Sequence, residues 1–157
     1  MEKAVLGAGC FWHVEEEFRK IKGVLSTQVG YMGGTRENPT YEEVCSGTTG
    51  HAEVVEVIFD PSVVSYYELL DVFWECHDPT QLNRQGADVG NNYRSVIFFC
   101  SAGQEKTARA SLSREDASGK HTRAIVTEIA PAGVFWRAEE HHQQYCARHG
   151  LASCRIL

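Results

Sequence analysis

The chain has 157 residues, 43% of them hydrophobic, and a formal net charge of −6 at pH 7. This length and composition are typical of one globular domain, so we expect residues 1–157 to form a single domain and a monomer. The acidic balance argues against nucleic acid as a partner. No apolar run reaches the about 18 residues of a membrane span, and the N-terminus has no signal-peptide pattern, which predicts a cytoplasmic location.

Hydrophobic periodicity predicts strands that alternate with helices along the chain. The predicted strands run from Ala4 to Leu6, Ser26 to Val29, His51 to Phe59, Tyr93 to Cys100 and Ala124 to Ile129. The predicted helices run from Phe11 to Ile21, Val64 to His77, Ala102 to Ala117 and Ala138 to His149, with a short helical turn from Thr40 to Cys45. A polar loop from Gln81 to Asn92 and a tail over 150–157 complete the chain. This order predicts an α+β fold with helices packed on a sheet.

The turn after the first predicted strand is where the sequence most strongly indicates chemistry. Gly7 and Gly9 end the strand, and Cys10 stands at the start of the first helix. A thiol at a helix N-terminus lies near unpaired N–H groups and the positive end of the dipole, which favours the nucleophilic thiolate. The alternative is a small buried thiol without a chemical role. Phe11 and Trp12 follow directly and indicate an aromatic pocket beside the sulfur.

Four further side chains are candidates for a polar site. Glu53 interrupts an apolar strand. If it faces the core, burial raises its carboxyl pKa and allows proton donation near neutral pH; otherwise it faces solvent. Tyr41 and Tyr93 flank the polar loops and either direct hydroxyl groups into a site or pack in the core. Asp88 lies within the polar loop and either lines a site or stabilises a turn.

Six motifs, taken together, resemble one known family. They are Gly9-Cys10-Phe11-Trp12, Gly30-Tyr31-Met32-Gly33-Gly34, Thr49-Gly50-His51-Ala52-Glu53, His77-Asp78-Pro79-Thr80, the stretch from Gln85 to Ser95 and the stretch from Ala138 to Tyr145. The chain is similar in these motifs, and in their order, to the methionine sulfoxide reductase A family, which repairs oxidised methionine. The resemblance implies a two-layer α/β sandwich with a ferredoxin-like core of mixed sheet, packed helices and a long coil-like C-terminal tail.

The resemblance also implies a role for each polar candidate. Cys10 would attack the sulfur of the sulfoxide, and Glu53 would protonate the oxygen that leaves it. Tyr41 and Tyr93 would donate hydrogen bonds to that oxygen. Asp88 would organise the polar side of the site.

The remaining steps of the implied reaction involve the aromatic pocket and a second thiol. Phe11 and Trp12 would hold the S-methyl group of the substrate, which is the S epimer of methionine sulfoxide, free or in proteins. The products would be methionine and a sulfenic acid on Cys10, which a second thiol converts to a disulfide that thioredoxin reduces. The resemblance implies no metal and no bound organic cofactor.

Two positions depart from the family pattern. His13 stands where the family commonly has glycine, and a histidine there either tunes Cys10 or faces solvent. Cys146 stands where relatives are usually apolar, so that Cys146 and Cys154 compete for the resolving role. Because the glycine-containing tail 150–157 suits a thiol that must move to Cys10, we predict Cys154 as the resolving cysteine and keep Cys146 as the second candidate.

Two other classes of function stay open on the residues alone. One alternative is a redox-sensing switch built on Cys10 and Cys154, which would be oxidised without turnover. A zinc site on the predicted terminal helix is the other alternative, and retained zinc in protein purified without chelator would identify it. Its ligands would come from His141, His142, Cys146, His149 and Cys154.

Overall fold

The computed structural model describes residues 1–151, so most of the predicted tail, with Cys154, lies outside the described residues. The elements up to the third long helix are β1 (Glu2–Ala8), α1 (Phe11–Arg19), β2 (Val24–Met32), α2 (Tyr41–Cys45), β3 (Ala52–Phe59) and α3 (Tyr66–Glu75). They are followed by β4 (Arg84–Gln85), β5 (Asp88–Val89), β6 (Ser95–Phe99), α4 (Ala102–Ala117), β7 (Glu128–Pro131), β8 (Trp136–Arg137) and α5 (Tyr145–Arg148). Among residues 1–151, no helix has both the length and the apolar character needed to cross a bilayer.

One six-stranded sheet in the described residues carries the fold, in the order β7-β6-β1-β3-β2-β8. The β6–β7 pair is parallel, whereas β1 pairs antiparallel with both β3 and β6, and β2 pairs antiparallel with both β3 and β8. The succession β1-α1-β2-β3-α3-β6 is the βαββαβ arrangement of ferredoxin-like folds. The predicted α+β fold with a mixed sheet and packed helices is therefore confirmed.

The helix-covered face of this sheet holds the main core. Val29, Val55, Leu6 and Ile97 are paired in register across four neighbouring strands, and all four are fully buried. They share one buried cluster with apolar side chains of α1 and α3, including Phe18. The helical periodicity of α1 and α3 follows from this cluster, because each helix must bury one apolar stripe against the sheet.

The opposite face of the sheet is covered differently. Val5, Val54, Val96 and Phe98 form a second buried cluster there, and Phe135 packs against it from the segment before β8. Strand β3 is consequently apolar on both faces rather than alternating. This pattern explains why the sequence alone did not decide whether Glu53, on this strand, faces the core or solvent.

The predicted helix over 138–149 is wrong. The structure has a 3-10 turn at Glu140–His142 and the short helix α5, separated by Gln143 and by Gln144 with φ of +52°. The reason lies in Gln143, whose side chain is buried and bonded to β2. Its Oε1 accepts from the backbone N–H of Val29 at 2.9 Å, and its Nε2 donates to the carbonyl of Val29 at 2.9 Å.

Two other boundaries also differ from the predictions. The strand predicted from Ala124 to Ile129 runs instead over Glu128–Pro131, where it adds a parallel edge to β6. Pro131 is tolerated because an edge strand does not need every backbone donor. The predicted loop over 81–92 contains the small β4–β5 hairpin, so part of it is ordered by strand pairing.

Candidate active site

Cys10 lies where β1 turns into α1. Gly9 makes this turn with φ of +100°, a region that glycine enters without steric cost. A Cβ added to Gly9 would also lie 2.9 Å from the side chain of Gln85. Cys10 is the N-cap residue of α1 and is 8% exposed. The turn through Gly9 thus places the nearly buried thiol of Cys10 at the start of α1.

The electrostatics of the Cys10 thiol differ from the sequence prediction. Burial raises its pKa well above the ordinary value of a thiol, and the charge of Glu53 raises it further. The backbone N–H groups of Trp12 and His13 act in the opposite direction, as expected at a helix N-terminus. Burial therefore outweighs the effect of the helix end that the sequence pattern indicated.

Glu53 faces the core and not solvent. It lies on β3 beside Tyr31 of β2 in the strand register, and it is 1% exposed. Its Oε1 accepts from the backbone N–H of Phe11 at 3.2 Å, and its Oε2 accepts from Nδ2 of Asn92 at 3.0 Å. Burial raises the pKa of this carboxyl to about 7, although both hydrogen bonds lower it. Glu53 is therefore a carboxyl that exchanges a proton near neutral pH, bonded to the residue after Cys10.

The aromatic side chains after Cys10 form one group with residues from α2 and the C-terminal segment. The ring of Tyr41 lies 6.2 Å from that of Phe11 and 6.1 Å from that of Trp12, both stacked. Trp12 Nε1 donates to Nδ1 of His142 at 3.0 Å, and its indole stacks on Tyr145 at 3.9 Å. Within this aromatic group Phe11 is fully buried and lies on the inner side, whereas Trp12 is partly exposed.

Tyr41 and Tyr93 converge on one side chain that the sequence did not single out. Burial raises the pKa of the Cys45 thiol, the hydroxyl groups of Tyr41 and Tyr93 lower it, and Nδ2 of Asn92 lies 4.0 Å from the same sulfur. Burial raises the pKa of each tyrosine, and the charge of Glu53 raises it further. Both phenols therefore stay protonated and able to donate at neutral pH.

A cleft of about 30 Å³ opens beside Cys10, and Asp88 and His13 are among its lining residues. A volume of this size holds about one or two water molecules. His13 is half-buried, and its Nδ1 is buried without a hydrogen-bond partner among the described residues. Burial lowers the pKa of His13, and the charge of Asp88 raises it. His13 thus faces the cleft and Asp88, rather than lying fully in solvent.

The sequence analysis did not single out two residues that bond to the candidate site residues, Asn92 and Glu139. Asn92 bonds Glu53, as described above, and Glu139 bonds two tyrosines. Glu139 Oε1 accepts from the hydroxyl of Tyr31 at 3.0 Å, and its Oε2 accepts from the backbone N–H of Tyr41 at 3.2 Å. Both residues stand within the family-like motifs, and that position was the available sequence signal.

The C-terminal cysteines are only partly described. Cys146 lies in α5, is buried, and its Sγ is 3.2 Å from the carbonyl oxygen of Trp12. Cys10, Cys45 and Cys100 are free thiols. Cys154, the predicted resolving cysteine, lies outside the described residues. The structure therefore brings Cys146 close to the helix that Cys10 begins.

The proposed zinc alternative has no support in the part of the chain that the structure describes. Within residues 1–151, no group of three or more His, Cys, Asp or Glu side chains is arranged to hold a metal ion. Nδ1 of His142, one of the suggested ligands, accepts instead from Trp12.

Comparison with known proteins places this chain in a family. The sequence profile "Peptide methionine sulfoxide reductase" matches residues 2–157. MsrA of Geobacter sulfurreducens is 68% identical over 155 residues, which cover 99% of this chain and 96% of that protein. Methionine sulfoxide reductase A of Corynebacterium diphtheriae superposes with a TM-score of 0.88 at 40% identity, over 98% of this chain and 77% of that chain. The chain therefore belongs to the peptide methionine sulfoxide reductase family, and the resemblance noted in its motifs is confirmed.

A further solved structure shows a relative with a partner. Mxr1 from Saccharomyces cerevisiae, in complex with Trx2, superposes with a TM-score of 0.60 at 26% identity. The match covers 92% of this chain and 84% of that chain.

Proposed function

We propose that this chain reduces methionine S-sulfoxide, free or in proteins, to methionine. The observation that carries this proposal is the buried Glu53 carboxyl, with a pKa of about 7, bonded to the backbone of the residue after Cys10. A sulfoxide oxygen is a poor leaving group until it is protonated. A half-protonated acid beside a thiol supplies both a proton and a nucleophile at neutral pH.

The first half-reaction balances without a cofactor. The sulfur of Cys10 attacks the sulfur of the sulfoxide while Glu53 protonates the oxygen, and the oxygen passes to Cys10. A thiol and a sulfoxide become a sulfenic acid and a thioether, so that Cys10 is oxidised and the substrate is reduced. Each oxygen of Glu53 already accepts one protein hydrogen bond, which holds the carboxyl in place and leaves its acid proton for the substrate.

The surrounding residues would orient the sulfoxide. Tyr41 and Tyr93 would turn their hydroxyl groups from Cys45 to the sulfoxide oxygen, which is a stronger acceptor than a thiol. Trp12, supported by Phe11, would pack on the S-methyl group. Asp88 would hold the polar side of the cleft next to His13.

The second half-reaction would restore Cys10. A resolving thiol attacks the sulfenic acid, water leaves, and the resulting disulfide is reduced by thioredoxin. The Mxr1 complex with Trx2 supports this choice of reductant. A cytoplasmic location, where thioredoxin keeps thiols reduced, suits the cycle. Cys154 is our candidate for the resolving thiol, and the position of Cys146 beside Trp12 keeps it as the second candidate.

The deciding experiment measures methionine release from separated S and R epimers of a methionine sulfoxide peptide, with dithiothreitol as reductant. We expect conversion of the S epimer alone, and none by Cys10→Ser, which keeps a side chain of similar size without a thiol. Conversion of neither epimer by folded wild-type protein would refute the proposed activity and favour the redox-switch alternative.

The resolving step has its own test. We expect Cys154→Ser to release about one methionine per enzyme, because Cys10 still reacts once, but to fail with thioredoxin. Cys100→Ser, which removes an exposed free thiol outside the described site, is the matched control and should turn over normally. Full thioredoxin-driven turnover by Cys154→Ser, together with a single release by Cys146→Ser, would transfer the resolving role to Cys146.

A further inference from the structure

The cleft beside Cys10 lies on a different side of this residue from the groups assigned to the sulfoxide. Within residues 1–151, the lining of the cleft includes none of those groups, which are Trp12, Tyr41, Glu53 and Tyr93. The cleft is bounded instead by the first two turns of α1 and by the β4–β5 hairpin. Cys10 therefore has two separate faces, one toward the sulfoxide-binding groups and one toward the cleft.

The second half-reaction needs such a second face. In the proposed first half-reaction the oxygen passes to the Cys10 sulfur from the side of Glu53, so the hydroxyl group of the sulfenic acid lies on that side. A thiol that displaces this hydroxyl group attacks the sulfur from the direction opposite the S–O bond. The cleft lies away from Glu53, and its volume of about 30 Å³ admits one small group such as a thiol in place of water.

His13 supplies a proton acceptor to this cleft. It is the third residue of α1, and its backbone N–H donates to the carbonyl of Cys10 at 3.2 Å. A side chain at the third helical position can fold back toward the N-cap residue, as it does in a capping box. Nδ1 of His13 is buried and has no hydrogen-bond partner among the described residues. This nitrogen is therefore available to take up a proton next to Cys10.

The charged groups around His13 stabilise its protonated form. Burial lowers the pKa of His13, and the charge of Asp88, on the β4–β5 hairpin, raises it. Glu17 lies one helical turn after His13 and lines the same cleft. Cys10 and Cys76 are the other titratable residues of the lining. The imidazole is thus neutral at pH 7, and the imidazolium that forms when it takes up a proton lies near two acidic side chains.

We propose that His13 is the general base of the resolving step, and that the resolving thiol reaches Cys10 through the cleft at His13. The inference rests on the proposed function and deepens its second half-reaction. The thiol proton passes to Nδ1 of His13 as the S–S bond to Cys10 forms and the S–O bond breaks. The leaving hydroxide takes a proton from Glu53 and becomes water. Exchange with solvent then removes the proton from His13 and returns one to Glu53.

The test separates the two half-reactions in one variant. His13→Asn keeps a polar atom near the place of Nδ1 but cannot take up a proton. In a single turnover with excess methionine S-sulfoxide and no reductant, its methionine release should stay within about twofold of wild type. Formation of the Cys10 disulfide should slow about 100-fold at pH 7, because a general base contributes about 10²–10⁴-fold. Rapid quenching with an alkylating agent, followed by mass spectrometry, measures both rates.

The pH dependence distinguishes a base from a structural support. A thiol with an ordinary pKa of about 8.5 ionises without a base at high pH. The difference in disulfide formation between His13→Asn and wild type should therefore shrink about tenfold between pH 7 and pH 9. His121→Asn is the matched control, since His121 bonds Glu115 and lies outside the cleft lining, and it should change neither rate.

Three results would overturn the role of His13 while leaving the proposed activity intact. They are equal losses in both rates, no loss in disulfide formation, and a loss in disulfide formation that is the same at pH 7 and pH 9. His13→Gln repeats the measurement, should His13→Asn fold poorly. Wild-type protein that releases methionine but forms no disulfide would remove the step in which His13 acts. Wild-type protein that releases no methionine would overturn the proposed function itself.

Discussion

The row Val29–Val55–Leu6–Ile97 and the pair Tyr31–Glu53 lie two residues apart on the same face of the sheet. All of these side chains are at most 1% exposed. The first row is entirely apolar and needs no partner for any polar atom. In the second, Glu53 is bonded by two donors, and Tyr31 donates to Glu139. Equal burial thus stabilises one row and leaves the neighbouring row with a carboxyl that titrates near neutral pH.

The comparison is tested most strongly through Glu53→Gln. We expect a loss of about 100-fold or more in kcat/KM for methionine S-sulfoxide, because general acids contribute about 10²–10⁴-fold. Glu56→Gln is the matched control, since Glu56 lies on the same strand, faces the other way and pairs with Lys3 at 3.6 Å. Steady-state kinetics of both variants decide the point. Equal activity of the two would remove Glu53 from the reaction.

The apolar row should show its effect in stability instead. Leu6→Ala removes a fully buried side chain and should lower the free energy of unfolding by about 2–5 kcal/mol. Leu25→Ala, at a position that is 53% exposed on β2, should change it by less than about 0.5 kcal/mol. Urea denaturation measures both. Similar values for the two variants would contradict the assignment of the core to this row.

The buried carboxyl should make stability depend on pH. Folding raises the pKa of Glu53 from 4.5 to about 7, so this group favours the folded state most below pH 4.5. That contribution is lost as pH rises through about 7, and it amounts to about 3 kcal/mol. Between pH 5 and pH 8, wild type should therefore lose more stability than Glu53→Gln. Denaturation curves that shift in parallel for both proteins would show that Glu53 is not buried in this way.

The smallest expected effect is that of the Glu53 charge on the reactivity of the Cys10 thiol. Since this charge raises the pKa of the thiol, Glu53→Gln should speed alkylation of Cys10 at pH 8 by about threefold or more. Iodoacetamide labelling followed by peptide mass spectrometry separates Cys10 from the other free thiols. Cys100 in the same samples is the internal control, and its rate should stay unchanged. An unchanged rate at Cys10 would mean that the two groups do not interact.

Much of this arrangement was predictable because it is local. The turn through Gly9 into α1 and the aromatic residues after Cys10 follow from spacing along a few residues. The βαββαβ order follows from alternating strand and helix patterns. The family-like motifs then named the site residues that the residue patterns had left ambiguous.

The parts that could not be predicted depend on distant partners. Gln143 bonds the backbone of Val29, 114 positions away, and this contact replaces the predicted terminal helix. The face occupied by Glu53 is hidden because both faces of β3 are buried. The pKa of Cys10 depends on burial and on the charge of Glu53, and neither is visible in the helix-start pattern.

Because Cys10 lies at the start of α1, the type of assay decides whether the loss of its thiol by substitution is detected. Its side chain forms no capping hydrogen bond, although serine is among the residues preferred at that position and contributes about 1 kcal/mol. The change from Cys10 to serine therefore removes the nucleophile while strengthening the helix start. A survey of variants scored by cellular abundance would rank this substitution as harmless, and only an assay of turnover would reveal the defect.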